Sequence, residues 1–176
     1  MDLLLFRLIN NLSMKNDLLD NIAILLSKYG IILMIICIIC LTLSKQKRLI
    51  GLYGILALAI SLGVNRLLKM SFDRPRPFME HTVNLVIERA PSPSFPSDQA
   101  LIAGVFLVVI LLASKKLAAI AFIYSFAVIV SRVYVGHHYP SDVLTGYMLG
   151  ILLTIVVFYV VKRIKKAPSP KLTVDV

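Results

Sequence analysis

Five runs of this chain are apolar on every side, and that property leaves it few ways to fold. A run needs about 20 apolar residues, within a range near 17–25, to cross a bilayer as a helix. The first run is Tyr29–Ser44, extended backward through Ile22–Leu26 with Lys28 snorkelling. The second is Leu49–Leu68; the third is Ala100–Ser114, short at its start because it grows out of a polar loop; the fourth is Leu117–Val135 and the fifth Val143–Val161. Only helices and closed barrels satisfy every backbone N–H and C=O inside lipid. Long uniform runs without period-two alternation select helices. The expectation is an all-α, polytopic transmembrane bundle of about five spans.

Composition agrees, with 59% hydrophobic residues against roughly 45–50% in an average soluble domain. The length of 176 residues suits one domain over 1–166, followed by a tail at 167–176 whose Pro168 and Pro170 read as disordered. Ahead of the spans, Leu3–Leu12 places Leu4, Leu5, Leu8 and Ile9 at helical spacing, with Arg7, Asn10 and Asn11 polar. It reads as a short amphipathic helix suited to the membrane interface. The start Met1–Arg7 lacks the basic region and small-residue cleavage site of a signal peptide. Cys37 and Cys40 have the spacing of a metal half-site but lie in an apolar run with no second ligand pair, so they read as inert.

The net charge of +10 speaks first to topology. Lys45, Lys47 and Arg48 separate spans one and two; Lys115 and Lys116 separate spans three and four; Lys162, Arg163, Lys165 and Lys166 follow span five. Alternating spans put all three sets on one side, the cytoplasmic one. The N-terminus, the Lys69–Gln99 segment and the His137–Asp142 turn then share the outer side. Nucleic acid is excluded as a partner because the lysines and arginines do not gather on one soluble surface.

Three polar islands fall on that outer side. In Lys69-Met-Ser-Phe-Asp-Arg-Pro-Arg-Pro77, a lysine at a helix end and Arg76 can aim two cations at one anion. In Pro96-Ser97-Asp98-Gln99, a helix beginning at the serine presents free N–H groups and a positive dipole end, which suit phosphate. Ser97 serves there as a cap or as a hydroxyl donor to phosphate. Ser131-Arg132, followed by His138 and Asp142, adds a cation and a histidine whose ring an aspartate four residues on can orient. His137 turns away from His138 on a helix and reads as structural or as a rim residue.

Together the islands resemble the three signature motifs of the type-2 phosphatidic acid phosphatase superfamily, K-x6-R-P, P-S-x-H and S-R-x5-H-x3-D. Lys69, Arg76 and Pro77 match the first; Pro96, Ser97 and Asp98 match the second except at its histidine; Ser131, Arg132, His138 and Asp142 match the third. The Phe95-Pro96-Ser97-Asp98 context and small size resemble bacterial undecaprenyl-diphosphate phosphatases of the bacitracin-resistance type. The resemblance implies a multi-pass protein of the bacterial cell membrane, with an extracytoplasmic site acting on a polyprenyl diphosphate lipid. It implies no metal and no cofactor. His138 would attack the terminal phosphorus to give a phosphohistidine, and Asp142 would orient it. Lys69, Arg76, Arg132, Ser97 and backbone N–H groups near Asp98 would hold the phosphoryl oxygens. Arg74 and the His81–Arg89 stretch are further candidates for rim contacts.

Gln99 departs from the pattern. The family's histidine there is the general acid for the leaving group, and an amide donates a hydrogen bond but no proton. General acid–base help is worth about 10²–10⁴-fold, which sets the expected loss of activity. A diphosphate substrate softens it, because its leaving phosphate needs a proton less than an alcohol does. An introduced exchange or a natural variant that binds without turnover would each explain Gln99; the intact remainder of the motifs favours the former. Phosphatidylglycerophosphate or phosphatidate is the alternative substrate. A non-catalytic binder of anionic lipids is the alternative class, one that would not need His138 or Asp142. Nothing in these residues speaks to oligomeric state.

Overall fold

The computed structural model describes residues 1–166. These form seven α-helices: α1 Asp2–Asn10, α2 Asp17–Leu43, α3 Arg48–Phe72, α4 Pro77–Glu80, α5 Asp98–Ala113, α6 Ala118–Tyr134 and α7 Pro140–Lys166, with a 3₁₀ turn at Lys115–Leu117 before α6. No strand occurs among the described residues. The expected helical membrane bundle is the observed class. The expectation of a disordered tail concerns residues outside those described.

Four helices are long and apolar enough to cross a membrane, and the fifth expected span, α5, is shorter, with 16 residues. At 1.5 Å per residue it extends about 24 Å, less than the roughly 30 Å of a hydrocarbon core. Its setting explains the difference. Residues Ala100–Phe106 and Val108–Ile110 are all buried, so α5 is the axis of the bundle and is enclosed by protein. The other long helices leave stripes of leucine and isoleucine outside, as a lipid-facing surface would.

Glycines set the closest packing, between α5 and α7. A Cβ on Gly104 would lie 2.2 Å from the Tyr147 carbonyl oxygen, one on Gly150 2.1 Å from that of Leu101, and one on Gly146 2.5 Å from that of Ser97. Gly146 and Gly150 are four residues apart on one face of α7, the small-residue spacing that lets membrane helices meet backbone to backbone. That contact carries Ser97 against the start of α7, where its N–H donates to the Asp142 carbonyl at 3.1 Å.

Local signals fix the helix ends. The Asn16 side chain caps α2 by accepting from Leu19 N at 3.1 Å, Ser97 Oγ caps α5 by accepting from Ala100 N, and Pro140 opens α7. Gly136 turns the chain from α6 toward α7 at φ +88°, a left-handed value that a Cβ would strain, and the Asn84 carbonyl oxygen stands 2.8 Å from where that Cβ would be.

Helix α1 packs across the end of the bundle where α6 turns into α7. Phe6 is fully buried with its ring 5.8 Å from that of Tyr139. Asn10, expected on the polar outer face, is buried, and its Nδ2 donates to the Asn84 and Tyr134 carbonyls at 2.8 and 2.9 Å. Two unpaired backbone acceptors at that turn outweigh the solvation of one amide. Leu4, Leu5 and Leu8 still face outward, so the interfacial character read from the sequence belongs to one face only.

Candidate active site

The three polar islands meet at the end of the bundle covered by α1. Lys69 lies in the last turn of α3 and pairs its Nζ with the Asp98 carboxylate. One turn earlier, buried Asn65 donates from Nδ2 to Asp98 Oδ1 at 2.6 Å and to the Pro96 carbonyl at 3.2 Å. The Asp98 side chain thus anchors Lys69 and the turn before α5, and only its backbone is left to face an anion. Asn65 was not singled out from the sequence. Its position four residues before Lys69, on the same helix face in an apolar run, is the signal that could have found it.

Arg76 is wholly buried and threaded through the loop that precedes α5. Its Nε donates to the Ser92 carbonyl at 3.0 Å and to Ser92 Oγ at 3.1 Å, and Nη2 donates to the Pro93 carbonyl at 3.2 Å. Nη1 donates to the His137 carbonyl at 2.8 Å and lies 3.0 Å from His138 Nε2. Burial, with the charge of Arg89 adding to it, lowers its pKa to about 10, which leaves it cationic at neutral pH.

A guanidinium only donates, so its contact with His138 Nε2 assigns the ring. The lone pair sits on Nε2 and the proton on Nδ1, which faces Asp142 Oδ2 at 3.6 Å. That separation orients the ring without forming a hydrogen bond. Burial and then the Arg76 charge hold His138 well below the usual histidine pKa, so the ring is neutral at neutral pH and Nε2 keeps its lone pair, which accepts from Arg76 until an anion takes that guanidinium.

Asp142, fully buried in the first turn of α7, accepts from Tyr139 N at 2.9 Å on Oδ2 and from Arg74 Nη1 at 2.8 Å on Oδ1. Arg74 was expected at the rim; it points inward instead. It also donates to Ser141 Oγ at 2.7 Å and to Asp2 Oδ2 at 2.8 Å, and lies over the Tyr139 ring at 4.1 Å. The partners are all acceptors or a π face, so the buried carboxylate draws the guanidinium away from solvent.

Arg132, in the last turn of α6, is buried. It donates to the Ser27 carbonyl at 3.2 Å and to Ser27 Oγ, and to His137 Nδ1 at 2.7 Å, while its Nε has no partner. His137 gives its Nε2 proton to the Ile87 carbonyl at 2.7 Å. With both ring nitrogens engaged it cannot attack, and burial followed by the Arg132 charge lowers its pKa to about 3. Gln99, in the first turn of α5, has its Oε1 enclosed and unpaired.

The charges do not balance. Lys69 and Arg74 have carboxylate partners, whereas buried Arg76 and Arg132 are in no ion pair among the described residues. Leaving a cation buried without a counter-charge costs several kcal/mol, on the order of that for breaking a buried pair. Two such guanidinium groups on either side of the His137–His138 turn make a site for an anion with several oxygens. A phosphoryl group has that charge and shape.

Comparison with known proteins gives the same direction. A family model described as the PAP2 superfamily matches residues 50–166. The undecaprenyl-diphosphatase BcrC of Bacillus subtilis is 31% identical over 88% of this chain and 81% of its own length. An undecaprenyl-diphosphatase of Sulfolobus acidocaldarius is 34% identical over 83% of this chain and 71% of its own. Among solved structures, Aquifex aeolicus LpxE superposes with a TM-score of 0.76 at 32% identity, covering 90% of this chain and 94% of that one. A PAP2-type phosphatidylglycerolphosphate phosphatase from Bacillus subtilis superposes with a TM-score of 0.69 at 22% identity, over 94% of this chain and 89% of that one, a likeness of fold.

Proposed function

The chain belongs to the PAP2 superfamily, and from that premise we propose that it is a membrane phosphatase that hydrolyses undecaprenyl diphosphate to undecaprenyl phosphate. The observation that carries this is the pair of buried guanidinium groups, Arg76 and Arg132, without carboxylate partners beside neutral His138, whose Nε2 lone pair is turned toward Arg76.

In the first step His138 Nε2 bonds to the terminal phosphorus while the bond from that phosphorus to the bridging oxygen breaks. The electron pair leaves on the lipid phosphate. Asp142 faces the Nδ1 proton and offsets the positive charge that develops on the ring. Arg76, Arg132, Ser97, Lys69 and the first N–H groups of α5 hold the phosphoryl oxygens, the kind of electrostatic stabilisation that dominates phosphoryl transfer. In the second step water bonds to phosphorus, the phosphorus–nitrogen bond breaks with its pair returning to Nε2, the protons of the water stay on phosphate oxygens, and inorganic phosphate leaves as the dihydrogen anion. Gln99 supplies hydrogen bonds in both steps and a proton in neither.

The basic turns between α2 and α3 and between α5 and α6 lie at the bundle end remote from the site, which supports an extracytoplasmic active face. A part in recycling the cell-wall lipid carrier, and through it in bacitracin resistance, follows from the same reading; one relative, from Bacillus licheniformis, carries bacitracin in its name. The test is phosphate release by protein in liposomes, from undecaprenyl diphosphate and from matched phosphatidylglycerophosphate and phosphatidate. Preference for the isoprenyl diphosphate is expected. Equal or better turnover of the glycerol lipids would overturn the substrate assignment.

A further inference from the structure

The loop between α4 and α5 is tied to the site at two nearby places. On one side of Arg89, the Ile87 carbonyl accepts from His137 Nε2 at 2.7 Å, and Val86 N donates to the Val135 carbonyl at 3.3 Å. On the other side, the Ser92 and Pro93 carbonyls accept from Arg76 at 3.0 and 3.2 Å. Residues 87 to 92 therefore run from the ring of His137, which Arg132 contacts on its other nitrogen, to the guanidinium of Arg76, and Arg89 lies between these two ties. It is exposed and forms no ion pair among the described residues, although Glu88 is its neighbour in the chain. Its charge reaches inward, helping to depress the pKa of Arg76, His137 and His138.

A cation held there is not needed for the terminal phosphoryl group, whose charge of about −2 the two buried arginines match. Nor does it stabilise the fold, since it brings a third positive charge toward an uncompensated pair. We propose that Arg89 forms a second-phosphate subsite, binding the inner phosphate of a lipid diphosphate while the terminal one sits between Arg76 and Arg132. This rests on the phosphatase reading above. The subsite has a chemical purpose in this chain: when the bridging bond breaks, the electron pair passes to the inner phosphate, and a guanidinium can stabilise that charge where Gln99 cannot protonate it. Arg89 would then set the preference for diphosphates over monophosphates.

The test measures the binding of inorganic pyrophosphate and of inorganic phosphate to the full chain in detergent, for the parent, Arg89→Gln and Arg89→Lys. A charge-assisted contact, discounted for exposure, is worth about tenfold. Arg89→Gln is expected to weaken pyrophosphate about tenfold and phosphate less than about twofold, with Arg89→Lys between the two. Equal weakening of both anions, or no change in either, overturns the subsite. Lipid turnover is read separately in the Gln99→His protein: if it binds pyrophosphate through Arg89 yet releases no phosphate from any lipid diphosphate, the phosphatase reading is refuted and the subsite is left standing.

Discussion

Replacing Arg74 with methionine is expected to lower turnover without a matching loss of substrate affinity. The substitution keeps a long apolar stem but removes donors to Asp142 Oδ1 at 2.8 Å, Ser141 Oγ at 2.7 Å and Asp2 Oδ2 at 2.8 Å. Asp142 then keeps Tyr139 N on Oδ2 and loses its guanidinium on Oδ1. Breaking a fully buried pair costs about 3–5 kcal/mol. The Arg74 side chain is 31% exposed, so water can replace part of the contact, and about 2 kcal/mol is the better figure. If that cost falls on the orientation of Asp142 against His138, kcat drops about 30-fold, taking 1.36 kcal/mol per factor of ten. Arg74 has three protein acceptors and touches neither Arg76 nor His138 Nε2, so KM should move less than about threefold. Asp2→Asn removes only the outer partner and should cost less than about threefold in kcat, and Arg74→Lys should recover part of the loss. The assay is steady-state phosphate release from a lipid diphosphate in mixed micelles. A KM raised 30-fold at constant kcat would make Arg74 a substrate contact and refute the positioning account, as would full activity in Arg74→Met.

Gln99→His should raise phosphate release from a long-chain isoprenyl diphosphate, by up to about 10²-fold because the leaving phosphate needs a proton less than an alcohol does; no gain in a single-turnover assay would remove position 99 from the chemistry. Gly150→Ala places a Cβ 2.1 Å from the Leu101 carbonyl and should cost about 1–3 kcal/mol by forcing α5 and α7 apart, seen as a lower Tm in detergent. Gly63→Ala, with nothing within 4 Å of its Cβ, is the control and should hold or gain stability. Stability should fall on acidification. His137 titrates near 3 in the folded chain against about 6.5 unfolded, so between those values the unfolded state binds more protons; the stability present above 6.5 is lost as pH falls, by about 2 kcal/mol at pH 5. A flat unfolding free energy from pH 7 to pH 5 would contradict that.

The spans and the motif residues were legible because both are written locally. An apolar run declares its helix, and Lys69, Ser97 and His138 fall at helix ends that caps and prolines mark. What escaped was pairing over distance. Asp2 meets Arg74 from 72 positions away, and Asn10 meets Tyr134 from 124, contacts that no periodicity encodes. Arg74 and Arg76 differ by two residues, yet one turns to the carboxylate behind the histidine and the other to the ring itself. Only the folded loop distinguishes them. The shortness of α5 was visible, but its meaning was not, since enclosure by α2, α3, α6 and α7 depends on small residues such as Gly104, Gly146 and Gly150.

The central claim is that His138 takes the phosphoryl group. It is tested most directly by quenching protein mixed with terminally labelled undecaprenyl diphosphate and locating the label by peptide mapping under alkaline conditions. Acid-labile label on His138, absent in His138→Ala and longer-lived in Gln99 protein than in Gln99→His, is the expected result. Undiminished phosphate release by His138→Ala, or label on another residue, would contradict it.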